Sequence, residues 1–72
     1  MDRRAALLDV VAVLRDMPER NLSRGQVGTV VDELSSDVVE VEFTDDNGQT
    51  YDLEALPRDY LLVLRYAPAE AA

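Results

Sequence analysis

Cysteine, histidine, lysine and tryptophan are all absent from this chain. Without Cys or His there is no disulfide staple and no ordinary zinc-ligand set, and the imidazole that most often serves as general base is missing as well. Without Lys there is no amine for Schiff-base chemistry and no Gly-rich phosphate loop that ends on Lys. No apolar run approaches the roughly 20 residues that span a bilayer. Carboxylates, hydroxyls and Arg are the chemistry that remains, so we expect no enzymatic activity, no cofactor and no metal.

The chain has 72 residues, enough for one core and too few for a second domain. A domain this small buries only about 60% of its unfolded surface, which leaves little interior for a deep ligand cavity. The opening Met1, Asp2, Arg3 and Arg4 followed by an apolar stretch imitates a secretion signal, but Asp9 interrupts it and Arg15 and Asp16 stand where a small-residue cleavage site belongs. The expected location is the cytoplasm, which the absence of Cys does not oppose.

Formal net charge is −8, with a pI near 4.2, and the charge is unevenly spread. Residues 25–57 hold no basic side chain and nine acidic ones: Asp32, Glu33, Asp37, Glu40, Glu42, Asp45, Asp46, Asp52 and Glu54. The flanks are near neutral, with Arg3, Arg4, Arg15, Arg20 and Arg24 before this block and Arg58 and Arg65 after it. Solubility is the simple account of such a block, and attraction of a basic partner is the sharper one.

The hydropathy pattern reads as five strands. Residues 8–14 are β-branched enough for the first, and residues 16–26, with Pro18, Asn21, Ser23 and Gly25, read as a long ordered loop. Residues 27–34 form the second, where Gly28 signals a bulge or a close backbone approach. Val39, Val41 and Phe43 then alternate with Glu40, Glu42 and Thr44 in the cleanest period-2 pattern of the chain. Asp45, Asp46, Asn47 and Gly48 make a hairpin turn, residues 49–53 the returning strand, residues 54–59 a turn or a single 3₁₀ turn, and residues 60–65 the last strand. The fold class expected is all-β, a small five-stranded SH3-like barrel over residues 1–66 with a 3₁₀ turn before the last strand, followed by a disordered tail at 67–72. An open five-stranded meander is the alternative. Core positions expected are Val11, Val13, Val27, Val30, Val39, Val41, Phe43, Leu53, Leu62 and Leu64.

Gly25, Val27, Gly28 and Val30 give the spacing Gly-x-Val-Gly-x-Val, which is similar to the core of KOW-type SH3-like barrels. A longer set of features runs through residues 9–14, Met17 and Pro18, residues 25–31, residues 40–43 and residues 46–51. Together these resemble a family of short bacterial domains, domain of unknown function 4926, over nearly the whole chain from Leu8 to Leu64. The resemblance implies a fold and brings no catalytic residues. The likeness to KOW-type barrels implies contact with RNA or ribosomal partners as one possible use.

Glu40 and Glu42 lie two apart on one face of a strand, about 7 Å apart by strand rise, but no basic or aromatic neighbour in sequence splits their pKa values for acid–base work. Asp45, Asp46 and Asn47 with Gly48 lack the spacing of a calcium loop and read as a turn. Three uses follow. The first is a non-enzymatic module whose acidic strands, through Asp32, Glu33, Glu40, Glu42, Asp52 and Glu54, bind a basic protein, as an antitoxin or immunity protein does when it imitates a polyanion. The second is a homo-oligomer joined through strand edges or through Leu61, Val63 or Tyr66. The third is an RNA binder using Arg15, Arg20 and Arg24, which the net charge opposes because a polyanion is repelled.

Overall fold

The computed structural model of the chain describes residues 4–66. Its strands are β1 (Val10–Val13), β2 (Val27–Glu33), β3 (Val38–Thr44), β4 (Thr50–Pro57) and β5 (Leu61–Val63), with 3₁₀ turns at Pro18–Arg20 and Arg58–Tyr60. All neighbouring strands are antiparallel, in the order β4-β3-β2-β1-β5, so the last strand returns to lie beside the first. This is the all-β, five-stranded architecture expected of a small SH3-like barrel, with its 3₁₀ turn directly before the last strand. β4 and β5 are the two edges and do not pair with each other. The tail expected at 67–72 lies outside the described residues.

β3 supplies the centre of the core because its alternation is strict. Val39, Val41 and Phe43 are fully buried, and they meet Val11 and Val13 of β1, Val30 of β2 and Leu56 of β4 in one cluster. Each such side chain contributes about 1.5–3 kcal/mol when buried. Met17 and Leu22 close the cluster from the long loop, where they form an isolated bridge around the first 3₁₀ turn. The loop is ordered, as expected, because Asn21 takes a left-handed φ of 57° and returns the chain so that both residues point inward.

Gly28 is a close approach rather than a bulge. It pairs with Phe43 across the strands, and a Cβ there would lie 2.7 Å from Val41 Cγ1, 2.8 Å from the Glu42 carbonyl oxygen and 3.0 Å from Phe43 Cδ1. The irregularity in β2 falls instead between Val30 and Asp32. The central hairpin forms as expected: Gly48 has φ of 79°, and Asp45 Oδ1 accepts the amides of Asn47 at 2.9 Å and Gln49 at 3.0 Å. That carboxylate is therefore committed to the turn.

Several expected boundaries and core positions differ. The first strand is limited to Val10–Val13 because Leu8 adopts φ of 71° in a turn where Asp9 N–H donates to the Ala6 carbonyl and Asp9 Oδ2 accepts from Ala6 N–H. β4 runs on to Pro57, absorbing most of the expected turn at 54–59, and β5 is only Leu61–Val63. Val27 is 44% exposed, and Leu53 and Leu62 are each 51% exposed. Leu64 is half-buried. Leu56 and Leu61 take their places in the core, together with Ala5, Met17 and Leu22. In the last strand the apolar run has no polar residue to set its phase, so sequence alone could not choose between odd and even positions.

Candidate functional site

Directly opposed residues in an antiparallel pair share a face of the sheet, which sorts the acidic residues. Val39, Val41 and Phe43 define the inner face, and they stand opposite Leu56, Glu54 and Asp52 of β4. Glu40 and Glu42 stand opposite Ala55 and Leu53 of β4 and opposite Asp32 and Thr29 of β2. The six expected binding residues therefore divide. Asp32, Glu40 and Glu42 share the outer face, whereas Glu33, Asp52 and Glu54 lie toward the inner face.

The inner three have local work. Glu54 takes an ion pair from Arg20 Nη1 at 3.0 Å, and the same nitrogen donates to the Ala55 carbonyl at 3.0 Å. Arg20 thus reaches from the first 3₁₀ turn over the edge of β4. Asp52 Oδ1 accepts the Leu53 amide at 2.9 Å. Glu33 stands opposite Val39 and pairs with Arg58 Nη2 at 2.9 Å.

Arg58 is the one charged side chain that is buried among the described residues, with 9% of its surface exposed. Its Nε donates to the Ser36 carbonyl at 2.9 Å, its Nη2 to the Ser35 carbonyl at 3.1 Å, and its Nη1 to the Ala5 carbonyl. With Glu33 it joins the start of the described chain, the β2–β3 turn and the 3₁₀ turn before β5. Burying a guanidinium is tolerable here because its donors meet partners, and no buried side-chain polar atom among the described residues lacks one.

The outer face is different. Asp32 makes no side-chain hydrogen bond or ion pair among the described residues, and Glu42 Oε2 accepts only the Thr50 hydroxyl at 3.0 Å. Strands β2, β3 and β4 contain no basic residue, and both arginines that approach them do so from the edge or the core side. Leu53 lies exposed beside Glu42, and Val31, the extra residue in the β2 irregularity, is also exposed. The arrangement is an acidic sheet face with apolar residues among its carboxylates, suited to a cationic partner that also brings hydrophobic surface. Sequence reading placed Leu53 in the core and so missed its part in this face. The Arg20 and Arg58 pairings had no signal in the sequence, since their partners lie 34 and 25 residues away.

Among the described residues no three acidic side chains converge to hold a metal ion, and no helix is long and apolar enough to cross a membrane. No curated protein and no solved structure matches the chain. The family model described as a domain of unknown function (DUF4926) matches residues 7–63, and the protein belongs to that family.

Proposed function

We propose that the protein is a non-enzymatic binding module whose outer sheet face docks a basic protein. The observation that carries this reading is the division of the carboxylates: Asp32, Glu40 and Glu42 stand together on one face of β2 and β3, while Glu33 and Glu54 are paired with arginines elsewhere. Unpaired carboxylates on a fixed sheet steer a cationic partner and set its register. Leu53 and Val31 give that partner apolar surface to bury. One concrete form is an antitoxin or immunity protein whose outer face stands in for a polyanion.

The nucleic-acid alternative finds less support. Arg20 is engaged by Glu54 and the Ala55 carbonyl, and the Arg15 guanidinium lies 4.2 Å over the Tyr60 ring. Two of its three candidate arginines are therefore already occupied.

The test compares wild type with the combined variant Asp32→Asn, Glu40→Gln and Glu42→Gln as baits for proteins from the source cells, eluted by a salt series. A basic protein retained by wild type, released at moderate salt and not held by the variant is the expected result. Retention that ignores salt, or that survives the three substitutions, overturns the reading.

A further inference from the structure

Away from the acidic face, the turn between β3 and β4 carries the one Asn-Gly pair of the chain, Asn47 and Gly48. Asparagine is among the chemically labile residues, and it loses its side-chain amide by attack of the following residue's backbone nitrogen on its own Cγ. Glycine in that following position leaves the nitrogen unshielded, since it has no Cβ. The fold keeps it so: Asn47 and Gly48 are exposed, and a Cβ built on Gly48 would meet nothing within 4 Å beyond its chain neighbours. The other asparagine, Asn21, is followed by Leu22, whose side chain is packed into the core cluster.

The same turn restrains the reaction. Gly48 N–H donates to the Asp45 carbonyl at 3.0 Å, and Asp45 N–H donates to the Gln49 carbonyl at 2.9 Å. The Asp45 carboxylate accepts the amides of Asn47 and Gln49 on either side. To attack, the Gly48 nitrogen must lose its proton and turn toward the Asn47 side chain, which breaks the first of these bonds. The nucleophile is therefore accessible to water yet held out of reach of its target until the turn opens.

We infer that Asn47 is a site of spontaneous covalent modification, held in check by the hairpin, which converts the turn to an isoaspartyl form whenever it opens for long enough. The reaction needs only water. The deprotonated Gly48 nitrogen bonds to Asn47 Cγ, the bond from Cγ to the side-chain nitrogen breaks, and that nitrogen leaves with a proton as ammonia. Water then opens the five-membered imide. Cleavage of the new bond to Cγ leaves an ordinary aspartate, and cleavage of the original peptide bond leaves isoaspartate, with the backbone routed through the side-chain carbon. One water is consumed, one ammonia is released, and nothing is oxidised or reduced. Either product adds a carboxylate beside Asp45 and Asp46. Isoaspartate also lengthens the turn by one backbone carbon, so the neighbouring cross-strand pair, Thr44 with Thr50, loses the turn that sets its register.

The full chain is incubated in heavy-oxygen water, once folded in neutral buffer and once in urea that unfolds it. Peptide mass spectrometry then locates the label, with fragmentation that separates aspartate from isoaspartate. We expect the label at position 47, mostly as isoaspartate, while Asn21 stays intact as the internal control. The folded chain should react roughly tenfold more slowly than the unfolded one, as when a reaction waits on local opening. Asp45→Ala frees the amides of Asn47 and Gln49 and should remove most of that difference, with circular dichroism showing the variant still folded. Equal rates in the folded and unfolded wild type overturn the restraint by the hairpin, whatever the variant does. A folded Asp45→Ala chain that reacts no faster than wild type removes the carboxylate from that role. An unfolded chain whose Asn47 survives as long as its Asn21 overturns the inference altogether.

Discussion

β4 runs for eight residues along one edge of the sheet and β5 for three along the other, yet the longer edge is the one partly covered by side chains. The outward Ala55 carbonyl is taken by Arg20, the Leu53 amide by the Asp52 carboxylate, and Pro57 has no N–H to offer. Long exposed edges invite unwanted strand pairing, and side-chain cover, charge and proline are the usual means of blocking it. β5 has none of these and is kept short, with its first amide turned into the 3₁₀ turn. The difference teaches that the two edges are not equally closed to a partner strand. β4 presents a margin partly covered by Arg20, Asp52 and Pro57 beside the acidic face, and β5 an uncovered one beside a cleft that mixes apolar residues with Arg4, Arg58, Asp59 and Arg65.

The largest expected effect attacks the support of the open edge. Arg58→Ala removes the side chain that ties the 3₁₀ turn before β5 to Ala5, Ser35, Ser36 and Glu33. Three backbone carbonyls lose their donor at a site that is only 9% exposed. We expect a loss of about 3 kcal/mol or more, read from urea denaturation, a large share of what a domain of this size has. Arg58→Lys recovers only part of it, since an ammonium cannot span that fork of acceptors.

Gly28→Val acts on neither edge and serves as the control for a core defect. Its Cβ would meet backbone and two side chains at 3.0 Å or less, so we expect a loss of about 2 kcal/mol with both edges unchanged. An unchanged melting temperature would contradict the close approach.

Arg20→Ala sharpens the comparison directly. Its ion pair with Glu54 is partly exposed, at 39% and 21% for the two side chains, so its removal should lower stability by less than about 1 kcal/mol. The informative readout is association: uncovering the Ala55 carbonyl should favour pairing through β4, seen as concentration-dependent aggregation greater than that of the wild type. The smallest effect is expected from Glu42→Gln. It keeps the hydrogen bond from Thr50 and changes thermal stability by no more than about 0.5 kcal/mol, while weakening any basic partner in proportion to the lost charge.

Legibility followed the strength of alternation. β3 was fully readable because apolar and acidic residues alternate without a break, and the hairpin after it was fixed by Asn47 and Gly48. β4 was read in the wrong phase. Tyr51 falls where the β3–β4 register shifts between Phe43 and Thr44, and after that slip Leu56 points inward while Leu53 points out. The shift also sends Asp52 and Glu54 toward the inner side, where they become tolerable only because β4 is an edge and Arg20 reaches Glu54. The candidate site was therefore half legible: Asp32, Glu40 and Glu42 share a face as their strand positions imply, and Glu33, Asp52 and Glu54 do not join them.

By itself the sequence determined that the chain is acidic, lacks Cys, His and Lys, and builds an all-β fold from five short strands, because composition and period-2 alternation are local properties. Only the tertiary structure decided which carboxylates face a partner, which arginines are consumed internally, and which sheet edge stays open. Those outcomes depend on register and on contacts between residues far apart in sequence, and a single residue of slip turns a side chain to the opposite face of the sheet.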